Sequence, residues 1–441
     1  MVKEFLTYAI PSAFSMLISA LYTIIDGMFV GQGVGDSALA AINIVLPFTV
    51  MLVGIANMMA VGGGVLVSKN FGEGNVEKAV NIFRQVMKFL MIVTVIISII
   101  TVVFTKQIVI LLGSTPQLET LAVDYLRYYA LFCIPNLAGM ALSSFARNDK
   151  QPRLAMVATI AGAIANIILD YLFIFEFNMG IKGAAVATGL GQILTVIILL
   201  PHFLKKKGLL SFGKVKLEKE IIKELLNIGL PSFFGQLSYS VIVLIHNVAI
   251  TRYIGEMGVS SYSIINYIGT NIYMILFGLT LGAQPLISYN FGKKDTKKML
   301  GFYKINCIAS VITTFVCVVI CYVFGPNIIS IFTQDPQIAD MAYKAVKFSS
   351  VSYFMVGLNL NTIVYYQAIE IPNISTLICF LRSVVALPLG FMILMGIMGV
   401  DGIWAGVIFS ETITFIVINI IANIKKKTNR VLEEDLELSF N

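Results

Sequence analysis

The chain of 441 residues is 58% hydrophobic and only 12% charged, with a mean hydropathy of +0.88. So little charge over so long a chain excludes a soluble globular protein and a disordered one, and points to a polytopic membrane protein. The net charge of +7 fits anchoring at an anionic inner leaflet rather than nucleic-acid binding.

Twelve apolar runs are long enough, at roughly 20 residues or more, to cross a hydrocarbon core of about 30 Å as helices. They fall near residues 9–31, 40–67, 86–112, 122–146, 155–176, 183–204, 225–251, 261–288, 304–331, 345–367, 374–397 and 402–424. In the first run Pro11 is followed by Ser12, Ser15, Ser19, Tyr22 and Asp26 at spacings of three and four. That is one face of a helix, and it must look at protein or water rather than lipid. The hairpin after it, Gly33-Val34-Gly35-Asp36, matches the Gly-x-Gly-Asp string of intramembrane aspartyl proteases, but a tight turn needs those glycines for its own geometry. No His-Glu-x-x-His, serine-elbow or Walker-lysine motif is present. An enzyme is therefore not expected, and the energy for any transport must come from an ion or substrate gradient.

In the fifth run Asn166 and Asp170 stack at i and i+4 beside Gly162 and Gly180, and the sixth run answers with Thr188, Gln192 and Thr195. Between the sixth and seventh runs lies the longest polar stretch, Lys205 to Glu224, which divides the chain into two six-helix halves, 1–212 and 213–441. Its tail, Leu217 to Leu226, alternates charge with apolar pairs and predicts a short helix on the membrane surface. The seventh run carries His246, while Arg382 in the eleventh and Glu411 in the twelfth can pair across neighbouring helices. All five cysteines sit in apolar runs as small buried hydrophobes, with no disulfide or metal framework. The first apolar run is too long and too polar-spotted for a cleaved signal peptide and is expected to stay in the mature chain.

The two halves carry the same punctuation 220 residues apart. Ile10-Pro11-Ser12 recurs as Leu230-Pro231-Ser232, and Ser68-Lys69-Asn70-Phe71-Gly72 as Ser288-Tyr289-Asn290-Phe291-Gly292. Gly35 followed by Asn43 is matched with Gly258 followed by Asn266, a three-residue slip, and His246 takes the repeat position of Asp26. Such duplication is common in membrane carriers that bind substrate between related halves. Most lysines and arginines fall on one side if both termini are cytoplasmic, including seven lysines from Lys205 to Lys223 and the group Lys425, Lys426, Lys427 and Arg430.

A carboxylate at mid-membrane costs roughly 2.5–3.5 kcal/mol or more, so it is kept for partners or for function. A lone hydroxyl stripe is ordinarily structural, because Ser and Thr bond their own backbone, and a lone histidine is commonly a packing residue. Two carboxylates in one half, Asp26 and Asp170, with amide and hydroxyl oxygens nearby, suit a hard cation such as sodium or a shared proton.

The chain also resembles the multidrug and toxic compound extrusion (MATE) family, most closely its MepA-type export branch. The resemblance rests on Pro11 fifteen residues before Asp26, the Asp26-Gly27 break, the Asn166 to Asp170 run, the doubled Asn-Phe-Gly marks and Phe145-Ala146-Arg147-Asn148-Asp149 followed by Pro152. It covers residues 5–425. It implies an all-α integral membrane fold of the MATE/MOP type, with twelve helices in two lobes related by a pseudo-two-fold axis. It further implies export of cationic or amphipathic drugs in exchange for H+ or Na+. The family's cation site falls on Asp26, Asn166, Asp170 and Thr188, with Na+ as the metal if sodium is the ion, and its bending proline on Pro11. Family members with a second carboxylate site place it on helices 7 and 10, where this chain offers His246 and then Tyr365, Tyr366 and Gln367. Tyr22, Gln284, Tyr365 and His246 are the candidate polar points of an apolar drug cavity. No cofactor beyond the coupling ion is expected, nor any nucleic acid; the expected state is a monomer in the inner (plasma) membrane. The alternative, a lipid-linked oligosaccharide or lipid II flippase, needs several cavity cations where only Arg127 and Arg382 lie within helices.

Overall fold

The structure, a computed structural model, describes residues 1–439, with side chains described to Ile421. The expected basic group from Lys425 to Arg430 lies outside the described side chains. Among the described residues there is no strand.

Twelve helical bodies follow in order. They are α1 (Val2–Gly33), α2 (Asp36–Gly72), α3 (Val76–Val103, resumed over Thr105–Leu111), α4 (Pro116–Leu131 and Cys133–Asn148), α5 (Pro152–Tyr171 with a π turn over Leu172–Glu176) and α6 (Ile181–Leu204). The second half repeats the plan as α7 (Lys219–Tyr253), α8 (Glu256–Gly292), α9 (Thr296–Ile329), α10 (Pro336–Ala368), α11 (Pro372–Phe380, a π turn over Leu381–Val385, then Ala386–Met398) and α12 (Gly402–Ser439). Among the described residues nine helical stretches are long and apolar enough to cross a membrane, or ten with the two arms of α4 taken as one. The stretch Pro372–Ile421 counts once there although it holds both α11 and α12, which pack on each other. The remaining body, α10, is polar because it is interior: Asn361 accepts from Thr280 and Asn306 at 2.9 and 2.7 Å and donates to Ser310 at 3.0 Å. A span whose polar groups are satisfied by neighbouring helices need not be apolar.

Two sequence expectations change. The segment from Leu217 to Leu226 is not a separate surface helix. From Lys219 it forms the first turns of α7, and Leu225 is buried there in the core of the first half. The repeat also needs no slip. Gly35 and Gly255, 220 apart, hold the equivalent turns with φ of +107° and +87°, whereas Gly258 lies inside α8. Only a residue without a β-carbon takes such a φ freely, so the conformation identifies the true repeat partner.

The halves interlock at the end of the molecule that carries most of the lysines, here called the basic end. Phe5 and Ala9 of α1 belong to the buried cluster of the second half, while Leu225 and Ile228 of α7 belong to that of the first. Glycines permit the approach. A β-carbon on Gly282 of α8 would stand 2.7 Å from Ala9 Cα, and one on Gly278 2.5 Å from Ala13 Cα. At the repeat position Gly62 of α2 meets Gly229 of α7. Gly72 and Gly292 face each other's helix ends, since a β-carbon on either would strike the Tyr289 or Lys69 carbonyl oxygen. This explains the doubled Asn-Phe-Gly: its glycine is where α2 and α8 touch across the pseudo-two-fold. Lys69 then reaches across to Glu370, 2.7 Å away in the α10–α11 turn.

Within the second half Arg382 and Glu411 pair at 2.5 Å, 8% and 1% exposed, as the sequence suggested. Asn359 donates to the Glu411 carboxylate at 2.7 Å. The positions 220 residues earlier are Gly162 and Gly191, which in the first half let α5 and α6 cross at backbone contact.

Gly292→Ala and Gly72→Ala are each expected to lower stability by about 1–3 kcal/mol through overpacking against backbone. Gly396→Ala, with open space around it, serves as the control and should be neutral or slightly stabilising. Thermal unfolding in detergent reads the difference. Arg382→Met alone should cost about 3–5 kcal/mol by stranding a buried carboxylate, and Arg382→Met with Glu411→Leu should recover most of it.

Candidate functional site

α5 is placed by its glycine crossing. Gly162 packs against Gly191 and Thr195 of α6, so Asn166 and Asp170, one and two turns further on the same face, enter the space between α5, α6 and α1. Both are buried, at 2% and 0% exposure. The π turn begins two residues after Asp170. Such turns widen the helix locally and often mark functional positions.

From α1, which packs along α5, Asp26 brings its carboxyl within hydrogen-bonding reach of Asp170. From α6, the Thr188 hydroxyl accepts from the Asn166 amide nitrogen at 3.4 Å, and the Asn166 side chain also lies beside Asp170. The Asn166 carbonyl oxygen, one oxygen of Asp26 and both of Asp170 are buried with no hydrogen-bond donor. Two facing carboxylates in an apolar interior repel each other and have lost their water, and either a proton or a small hard cation relieves both penalties. Carboxylate, amide and hydroxyl oxygens fit Na+ by donor chemistry. Among the described residues no group of three or more His, Cys, Asp or Glu side chains gathers as a metal centre.

The surroundings are aromatic. Phe29, Tyr171 and Phe175 contact one another with ring centroids 5.5 to 6.3 Å apart, within a few residues of Asp26 and Asp170 on α1 and α5. Tyr22 lies beside Asp26, and Tyr125 of α4 stands in the field of both carboxylates. Tyr129 follows one turn on and accepts from Asn136 at 2.8 Å across the break in α4. That break, 53°, has a local cause. Pro135 cannot donate to the Leu131 carbonyl, and Phe132 turns into the space that Gly189 of α6 leaves. Sequence reading missed Tyr125, Tyr129 and Asn136. Their signal is a polar face at spacings of four and seven with a proline inside it.

Other candidates are placed elsewhere. Ser15 and Ser19 donate to the carbonyls of Pro11 and Ser15 on α1 itself, so most of the serine stripe serves the helix backbone. Thr195 bonds the Ala158 and Gly191 carbonyls at the α5–α6 crossing. His246 is 3% exposed, bonds its own Ile242 carbonyl at 2.9 Å and lies between Tyr262 and Phe391. It borders a cavity of about 80 Å³ that Arg382 and Glu411 also line. The residues 220 on from Asn166 and Asp170 are Ala386 and Gly390, so no carboxylate joins His246 there. Gln284 is buried on α8 and donates to Ser288 at 3.1 Å. Tyr365 stacks on Tyr303 and Tyr366 near the basic end of α10. Tyr22, His246, Gln284 and Tyr365 are thus not brought together around one cavity.

Comparison with known proteins agrees with this architecture. The MatE family model matches residues 11–172 and again 231–392, once in each half. Multidrug export protein MepA of Staphylococcus saprophyticus is 29% identical over 414 residues, covering 93% of this chain and 91% of that protein. The protein of the same name from Staphylococcus haemolyticus is 26% identical over 429 residues, covering 96% and 94%. A solved structure described as the outward-facing conformation of a multidrug resistance MATE family transporter of the MOP superfamily superposes with a TM-score of 0.91, at 22% identity, over 97% of this chain and 96% of that one. A MATE in the bent conformation superposes with a TM-score of 0.87 at the same identity and coverage. With the family model matched in both halves over most of its length, this multi-pass membrane protein belongs to the MatE family, the multidrug and toxic compound extrusion transporters.

Proposed function

We propose that the protein is a secondary active exporter of cationic or amphipathic drugs, driven by H+ or Na+ entering at Asp26, Asn166, Asp170 and Thr188. The single observation that carries this reading is the meeting of Asp26 and Asp170, with three of their four carboxylate oxygens buried and without a hydrogen-bond partner. MepA relatives named as multidrug exporters support the substrate class. The basic end is read as cytoplasmic by the distribution of lysines and arginines, which puts the protein in the plasma membrane with its closed end inward.

In this cycle a cation arriving from outside neutralises the acid pair, and α1 repacks. The helix is suited to pass that change on. Its later turns, with Asp26, lie against α5 of the same half, while Ala9 and Ala13 lie against Gly282 and Gly278 of the other half. Pro11 sits between Ala9 and Ala13, within the contact with the other half, fifteen residues before Asp26. It lacks the N–H that would bond Thr7, so α1 bends there at low cost. The bend and the closure between halves are thereby coupled, and drug and cation exclude each other by stabilising different packings of one helix. The flippase alternative is disfavoured because Arg382 is neutralised by Glu411 at 2.5 Å and is not free to hold a pyrophosphate.

Export from vesicles under an imposed proton gradient, and separately under a sodium gradient, tests the reading; failure of both to drive a fluorescent cationic drug overturns it. Asp26→Asn and Asp170→Asn should each reduce coupled efflux by roughly 5- to 150-fold, the span of ordinary coupling free energies, at unchanged expression. Wild-type efflux in both variants would remove the first-half site. Pro11→Ala should slow efflux while leaving drug affinity unchanged, and Pro231→Ala, on a helix with His246 at the position of Asp26, should slow it less. Equal, wild-type-like rates in the two alanine variants would exclude α1 bending from the mechanism.

A further inference from the structure

At the basic end a cleft of about 490 Å³ opens between α3 and the connection from α6 to α7. Its α3 wall is formed by Arg84, Met87, Lys88, Met91 and Ile92, spaced so that all five share one helical face. The face is graded. Arg84 and Lys88 lie toward the start of α3, at the membrane boundary, while Met91 and Ile92 lie one to two turns deeper and are 37% and 41% exposed. Lys214 adds a third cation from the connection, and Phe212 an apolar floor.

The cations are held but not neutralised. Arg84 donates to the Ser211 carbonyl at 2.8 Å and to its hydroxyl at 3.2 Å, and Lys88 donates to the Val215 carbonyl at 3.0 Å. A β-carbon on Gly213 would stand 2.6 Å from Arg84 Cζ, so the connection lies directly on the guanidinium. Among the described residues none of the three cations pairs with a carboxylate. The neighbouring Glu218 accepts instead from Gln85 at 2.8 Å and Asn81 at 3.2 Å. Three uncompensated positive charges at the membrane boundary, continuous with an apolar wall that runs into the membrane, match one chemistry in both parts.

We propose that this cleft binds an anionic phospholipid, its phosphate headgroup on Arg84, Lys88 and Lys214 and an acyl chain along Met87, Met91 and Ile92. The connection it touches is the chain's covalent joint between the halves, so a bound lipid fixes that joint against α3. A lipid of this charge belongs to the bilayer leaflet at the basic end, whichever ion or drug the protein carries.

Native mass spectrometry of the purified full chain with phosphatidylglycerol or phosphatidylcholine of equal chain length tests the assignment. Wild type should retain phosphatidylglycerol in preference, and Lys88→Gln with Lys214→Gln should weaken that preference by about tenfold, with unchanged unfolding in phosphatidylcholine micelles. Arg84 is left in place because it also supports the connection. A second measurement needs no variant: phosphatidylglycerol should slow acetylation of Lys88 and Lys214 in wild type, and inorganic phosphate or phosphatidylcholine should not. Equal retention of both lipids, retention undiminished in the double variant, or equal protection by phosphate alone would each overturn the proposal.

Discussion

Asp26 and Asp170 lie together with three of their four carboxylate oxygens buried and without a hydrogen-bond partner, and much of the first half is arranged to hold that deficit in place. A desolvated carboxylate pair is tolerable only when the surrounding helices cannot move apart or admit donors. The Gly162–Gly191 crossing draws α5 onto α6, the π turn ends α5 just beyond Asp170, and Phe29 packs on Phe175 across α1 and α5. Tyrosines from α4 complete the inner wall. Each device excludes water or fixes a helix, and none supplies the missing charge. The site is closely packed in its walls and incomplete in its electrostatics.

The second half resolves the same position in the opposite way. Where the first half has two glycines in backbone contact, the second has Arg382 and Glu411, an ion pair that Asn359 joins as a third partner while the Arg382 Nε is left without one. Where the first half has Asn166 and Asp170, the second has Ala386 and Gly390. His246 is packed between rings and bonds its own helix. The duplication thus preserved the architecture and let the electrostatics diverge: one half is internally compensated and the other is not. Conserving the glycine approaches Gly62–Gly229, Gly282–Ala9 and Gly72–Gly292 keeps the two halves closely joined despite that divergence. The interface also exchanges material, since the start of α1 is buried with the second half and the start of α7 with the first.

The sequence by itself determined the number and order of the spans, because apolar length is a local property and the bilayer sets one threshold for all of them. It determined the duplication too, through residues whose backbone duty is local, such as Pro11 and Pro231 or the two Asn-Phe-Gly ends. It singled out Asp26, Asn166 and Asp170, since mid-membrane polar residues are costly wherever they stand, and it matched Arg382 with Glu411 by complementary charge. Only the tertiary structure decided which of the polar stripes share a space. The serines of α1 and Thr195 have the same spacing as the residues around Asp170, yet they bond nearby backbone, because periodicity specifies a face and not what that face meets. Tyr125 and Tyr129 passed unnoticed because their surroundings depend on how α4, bent at Pro135 with Phe132 in the space at Gly189, packs on its neighbours. The repeat register was settled by φ at Gly35 and Gly255, a backbone property that letter matching at Gly258 could not distinguish. Contact between distant segments depends on helix crossing angles and side-chain volumes throughout the chain, and no local pattern encodes those.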